Sequence, residues 1–277
     1  MKKSSGRILA IGGAEDPDEK NMTILPYFVK MCGGKAARIV VCGAPSEKPK
    51  EKERKYDALF RRIGVANVVH ADIAERADAE REELLEAARR ATGVFFTGGD
   101  QLRLTSLIAG TRFGDLVSER LQKEGLMVGG TSAGAAAISS TMFTGGNDEG
   151  TVRRSDVRLA PGLGYLRDTV VDTHFAQRGR INRLFTVFAE NPQILGIGLD
   201  ENTAIDVRPE VSFHVIGEGA VFVFDGRVTH SNAADAEEEE VLAVTDVVVH
   251  VLPHDYSFDM KTQRPLKPDG TALPKRQ

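Results

Sequence analysis

The sequence predicts an α/β protein: a mostly parallel sheet with helices on both faces, extended by antiparallel strands from the C-terminal part. Two observations predict it. Through the first two-thirds of the chain, short apolar runs alternate with segments of helical periodicity, the pattern of parallel βαβ units. From Thr203 onward the helical pattern stops, and short β-rich runs follow one another across tight turns, which suits antiparallel pairing. With 277 residues the chain can build a sizeable core. It has no internal repeat and no obvious linker, so residues 1–277 read as one domain.

The apolar runs 8–11, 37–42, 66–69, 93–97, 126–128, 169–171 and 196–199 suit buried strands. Helical patterns occupy 20–31, 51–63, 77–91, 102–108, 113–123, 133–140 and 179–189. In the tail, 204–207, 213–216, 221–224 and 241–251 read as strands, with turns at Gly217-Glu-Gly219 and Asp225-Gly226. They extend the same sheet or form a small second one. The acidic stretch 235–240 reads as a solvated loop, and the polar, Pro-containing end 261–277 as loosely held.

Composition excludes several classes. The chain is 41% hydrophobic and 27% charged, with a net charge of −4, which argues against nucleic acid or a membrane surface as partner. Two cysteines, Cys32 and Cys42, cannot build a disulfide framework, and no zinc-ligand spacing is present. No metal and no cofactor are expected. The short first strand leaves no apolar signal-peptide region, and no 18-residue apolar run exists, so a cytoplasmic protein is expected.

The chemistry centres on Gly130-Thr-Ser-Ala-Gly134, a G-x-S-x-G match between an apolar run and an alanine-rich helix. On such a strand-to-helix turn the serine is strained and exposed, and the following helix offers backbone N–H groups to an anion. A tight turn of small residues explains the pentapeptide alone equally well. A serine nucleophile needs a base, and the base needs an orienting group. Of six histidines, His214, His230, His250 and His254 lie in the β-rich tail, where strand faces and turns explain them. His70 ends a strand and is a rival. His174 follows a strand, with Asp172 before it and three arginines after it, and is the better candidate. Glu201 is the candidate carboxylate, with Asp200 its immediate rival. Gly98-Gly99 lacks the dinucleotide G-x-G-x-x-G spacing, and the Gly99 amide could join that of Ala133 in an oxyanion hole. Arg178, Arg180 and Arg183 crowd a helix start, where cations oppose the helix dipole unless anions bind beside them. An acidic substrate follows.

These loops resemble the cyanophycinases, in the peptidase group that also holds the aspartyl dipeptidases. The resembling stretches are Ile11-Gly-Gly-Ala-Glu-Asp16, Phe95-Phe-Thr-Gly-Gly-Asp-Gln101, Gly129-Gly-Thr-Ser-Ala-Gly-Ala-Ala-Ala137, Val171-Asp-Thr-His-Phe-Ala-Gln-Arg-Gly-Arg180 with Arg183 beyond, and Gly198-Leu-Asp-Glu-Asn-Thr-Ala204. The resemblance implies a three-layer fold like that of class I glutamine amidotransferases, a serine nucleophile at Ser132, a base at His174 and a carboxylate at Glu201. It implies cleavage of cyanophycin, a poly-aspartate with arginine on each side-chain carboxyl, to β-Asp-Arg dipeptides, and it suggests a homodimer. Gln101, Asp172, Thr173, Arg178, Arg180 and Arg183 are the expected substrate contacts, with Asp172 a candidate receiver of substrate guanidinium. Thr173 departs from the family's usual glutamine, and Asn182 from its frequent glycine. The rival readings are a dipeptidase for short Asp-X peptides, a non-catalytic binder of acidic peptides, and an amidotransferase-like enzyme, which would want cysteine at the turn.

Overall fold

The computed structural model describes residues 5–146, 150–225 and 230–273. Five strands form a parallel core: β1 (Arg7–Ile11), β2 (Arg38–Cys42), β3 (Asn67–His70), β4 (Gly93–Phe96) and β5 (Met127–Thr131). Their order is β1-β5-β4-β2-β3, every neighbour parallel. The connections carry α1 (Ile24–Met31), α2 (Pro49–Ile63), α3 (Glu82–Arg90), α4 (Gln101–Ile108) and α5 (Arg112–Lys123). Helix α1 starts four residues later than the pattern suggested. The Asp16 carboxylate accepts from the Thr23, Ile24 and Leu25 amides and so sets that start. The 77–91 pattern is broken at Arg81, whose extended backbone separates a 3₁₀ turn from α3.

The largest departure follows the serine turn. Helix α6 (Ala133–Ile138) is shorter than expected, and the chain passes directly into β6 (Ser139–Gly146). There, in extended backbone, the Ser139 hydroxyl lies 2.6 Å from the carbonyl oxygens of both Ala136 and Thr141 and donates its one proton to either, competing with further helix. A hairpin strand β7 (Val157–Pro161) follows, then β8 (Leu166–Thr173), α7 (Ile181–Glu190) and β9 (Leu195–Leu199). Helix α7 begins after Gly179, which is left-handed at φ +64°.

The tail strands are β10 (Thr203–Arg208), β11 (Ser212–Gly217), β12 (Val221–Asp225), β13 (His230–Ser231), β14 (Val244–Thr245), β15 (Val248–Leu252), β16 (Ser257–Asp259) and β17 (Arg264–Leu266). Four of them add antiparallel strands to β1, giving a nine-stranded sheet ordered β17-β16-β11-β10-β1-β5-β4-β2-β3. The run expected over 241–251 is divided at Asp246, which has φ +57°. Of the end 261–277, expected to hang loosely, Arg264–Leu266 instead forms β17 at the sheet edge, and 274–277 lie outside the described residues. In the turn expected at Asp225-Gly226, Gly226 lies outside the described residues.

Strands β8 and β9, expected in the parallel sheet, belong to a second one. Its order is β15-β12-β9-β8-β6-β7, with β6, β8 and β9 parallel. Helices α1 and α2 cover one face of the main sheet, burying Phe28, Phe60 and Phe95. On its other face, α3 to α6 and the inner face of the second sheet share one buried cluster, which includes Ile8, Phe96, Ile138, Ile197 and Val223. Helix α7 covers the outer face of the second sheet. Strand β5 is buried along its whole length, as a parallel strand covered on both sides must be.

Candidate active site

The G-x-S-x-G segment forms a tight turn from β5 into α6. Ser132 sits at φ +52°, ψ −114°, a backbone state that costs a non-glycine residue about 1–3 kcal/mol. The two glycines allow it. A Cβ on Gly130 would come within 2.6 Å of the Gly134 backbone, and one on Gly134 within 2.4 Å of the Phe96 carbonyl oxygen. The Ser132 amide donates to the Ile11 carbonyl at 2.9 Å, tying the turn to the end of β1.

His174 follows β8 and also has a positive φ, +51°. Its amide donates to the Gly12 carbonyl at 2.9 Å. Its ring lies against Gly13, where a Cβ would meet Cε1 at 2.3 Å; only glycine leaves the ring this place. His174 Nε2 is 2.9 Å from Ser132 Oγ, and its Nδ1 is 2.6 Å from Glu201 Oε1. Asp200 faces elsewhere, its two oxygens accepting from the amides of Ala176 and Ala220. His70 lies on β3 at the far edge of the main sheet. Such an array can move a proton from serine to imidazole while the carboxylate stabilises the imidazolium.

A cleft of about 290 Å³ opens over Ser132, lined by Gly99, Gln101, Ala133, Thr173, Arg178 and Arg180 among others. Among the described residues, neither the Gly99 nor the Ala133 amide donates to a protein group. The Gly99 loop is fixed from outside by the Asp100 amide, which donates to the Pro45 carbonyl at 2.8 Å. One wall of the cleft escaped sequence reasoning. It is the end of β6, Phe143 to Gly146, held by the Gln101 side-chain amide donating to the Phe143 carbonyl. The signal was the Thr and Phe of Thr141-Met-Phe-Thr144, β-formers placed three residues beyond an alanine run.

The arginines divide. Arg178 is exposed at the cleft mouth. Arg180 Nη1 donates to Asp172 Oδ1 at 3.1 Å and to the Thr173 carbonyl at 2.8 Å. Arg183 is 5% exposed, ion-paired to Asp172 and stacked 4.3 Å from the Phe143 ring centroid. Asp172 is thus buried between two guanidinium groups. The expectation that it receives a substrate guanidinium meets a carboxylate already engaged, and part of the anion predicted beside these arginines is Asp172 itself. Asn182 donates to the Gly150 carbonyl at 2.6 Å, a contact that glycine could not make.

A larger cavity, about 530 Å³, opens at the amino ends of β2, β4 and β5. Its four arginines have structural explanations: Arg38 and Arg120 donate to the carbonyls of Ala88, Arg90 and Ala91 at the end of α3, while Arg89 pairs with Glu82 and Arg90 with Glu86. Among the described residues no group of three His, Cys, Asp or Glu could hold a metal ion.

The sequence profile of peptidase family S51 matches residues 8–215. The chain belongs to peptidase family S51. It is a serine-type peptidase. It is 37% identical over 260 residues to the cyanophycinase of Synechococcus elongatus, covering 94% of this chain and 80% of that one. The cyanophycinase of Geminocystis herdmanii is 34% identical over 260 residues, covering 94% and 95%. Among solved structures, a peptidase from an acI-B1 Actinobacterium superposes with a TM-score of 0.63 at 18% identity, covering 90% of this chain and 99% of that one. At that identity the likeness is one of fold.

Proposed function

We propose that this S51 peptidase degrades cyanophycin, releasing β-Asp-Arg dipeptides from a chain end. The hydrogen-bonded line from Ser132 Oγ through His174 to Glu201, in a cleft rimmed by arginine, carries the reading. The similarity to proteins named cyanophycinase supports the substrate. Ser132 attacks a backbone carbonyl, and His174 Nε2 takes its proton and gives it to the leaving amine. Glu201 holds the Nδ1–H. The amides of Gly99 and Ala133 receive the oxyanion, each donor contributing about 3 kcal/mol to the transition state. Water then hydrolyses the acyl-enzyme by the same base. Arg178 and Arg180 meet substrate carboxylates, Gln101 and Thr173 shape the cleft beside them, and Arg183 acts from behind through Asp172 and Phe143. No step calls for a metal or cofactor.

Incubation with purified cyanophycin, with and without a chelator, followed by mass spectrometry, tests the reading. β-Asp-Arg should appear at equal rates in both. Hydrolysis of Asp-X dipeptides alone would replace it with an aspartyl dipeptidase, and rescue of a chelated enzyme by zinc would replace the mechanism.

We also read the chain as one domain, supported by the buried cluster shared between its two sheets, and as a homodimer. Strand β15 ends the second sheet and exposes Val248, Val249 and Val251, an edge that favours pairing with another copy. Val251→Lys should turn dimer to monomer in analytical ultracentrifugation; an unchanged mass would place the contact elsewhere. A cytoplasmic location accords with two free, buried cysteines and can be checked by cell fractionation.

A further inference from the structure

We propose that Glu15 is the positioning residue that holds the serine turn in its strained geometry, clamping Thr131 to helix α2 from beneath. A non-glycine residue stays at positive φ only where its surroundings over-determine it. The backbone side of Ser132 is held by the Ile11 carbonyl. Its side-chain neighbour Thr131 is 3% exposed, and the Thr131 hydroxyl donates to Glu15 Oε2. Glu15 Oε1 accepts from the Tyr56 hydroxyl of α2. Tyr56 is itself anchored, its ring 4.8 Å from that of Phe95 and 6.3 Å from that of Phe60. Burial, and then the neighbouring Glu15 charge, push the Tyr56 hydroxyl well above its ordinary pKa, so it remains a donor. The clamp therefore runs from the packed aromatic core to the residue before the nucleophile.

The loop that carries Glu15 meets His174 directly and the other two members of the array through their chain neighbours. The Gly12 carbonyl accepts from the His174 amide, and Gly13 lies under the ring. The Gly13 carbonyl accepts from the Asn202 amide, next to Glu201, while the Asp16 amide donates to Asn202 Oδ1 at 2.9 Å. Glu15 does not line the cleft, so it acts through Thr131 and not on substrate. A carboxylate suits the place because both partners are hydroxyl donors and both of its oxygens accept.

The inference rests on Ser132 as nucleophile but not on the polymer. Its readout is therefore the second-order rate at which a fluorophosphonate probe labels Ser132, with kcat and KM on cyanophycin measured beside it. Misplacing a reacting atom by about 1 Å costs up to about a hundredfold. Glu15→Ala and Thr131→Val should each slow labelling by about tenfold or more and lower kcat with KM little changed. The double variant should be no slower than Glu15→Ala, because both break one contact. The pH midpoint of labelling should not move in Thr131→Val, which changes no charge. Labelling at the wild-type rate, additive losses, or a raised KM with kcat intact would each overturn the proposal. Thr131→Val, which exchanges one hydroxyl for a methyl of similar size, keeps the test valid if Glu15→Ala fails to fold. A wild-type enzyme that is labelled yet leaves cyanophycin intact sinks the substrate reading and leaves this one standing. No labelling at Ser132 sinks both.

Discussion

Asp200 and Glu201 are adjacent in the chain and point to different tasks. Asp200 is 7% exposed and joins the backbone after β8 to that before β12 through two amides. Glu201 turns to the imidazole. The residue pattern left this choice open, because alternation along an extended segment says only that neighbours face opposite ways. Ser132→Ala should fold normally and lose a factor on the order of 10⁴ or more in kcat. Glu201→Gln should lose far more kcat/KM than Asp200→Asn at nearly unchanged melting temperature, whereas Asp200→Asn should lower the melting temperature, because a bound buried acceptor is altered. Kinetics and thermal melts on the three variants check this, and the reverse ranking would give Asp200 the orienting role.

At the scale of elements, the 3₁₀ turn Ala176–Arg178 and the first turn of α7 sort three arginines that look alike in the sequence. A charge-assisted hydrogen bond contributes roughly 1.5–3 kcal/mol. Arg178→Gln should therefore lower kcat/KM on cyanophycin by about tenfold to a hundredfold while leaving stability alone. Arg183→Gln strands part of the Asp172 charge in a buried place and should cost up to about 3 kcal/mol of stability, with Arg180 still sharing Asp172. Chemical denaturation of both variants separates the two effects; equal stability would mean that Arg183 is not structural. Strand β6 was illegible for a different reason. Its residues follow a helix without a linker, and the hydroxyl of Ser139, not a Gly or Pro signal, marks the change.

For the whole molecule, stability carries a pH signature at Glu53. This side chain is fully buried below the loops after β2 and β3, with Oε1 accepting from the Gly43 and Asp72 amides. Burial, outweighing those amides, raises its pKa above the ordinary glutamate value. A raised folded-state value means that the folded protein holds this proton more tightly than the unfolded chain. The contribution is present below the ordinary glutamate range and is lost as pH rises through the folded value. Glu53→Gln should remove that part of the pH dependence, seen as a flatter profile of denaturation midpoint above about pH 4.5; an unchanged profile would place the proton elsewhere. The sequence by itself determined the α/β class, the seven strand runs β1 to β5, β8 and β9, the antiparallel tail and the serine turn, because hydrophobic period and glycine spacing are local properties that each segment expresses alone. Only the tertiary structure decided that β8 and β9 leave the main sheet for a second one. That sheet sets His174 and Glu201 against the end of β1 and beside Ser132, and it encloses Asp172 between arginines. Sheet membership depends on which nonlocal surfaces bury each other best, and two apolar runs of equal period carry no record of that choice.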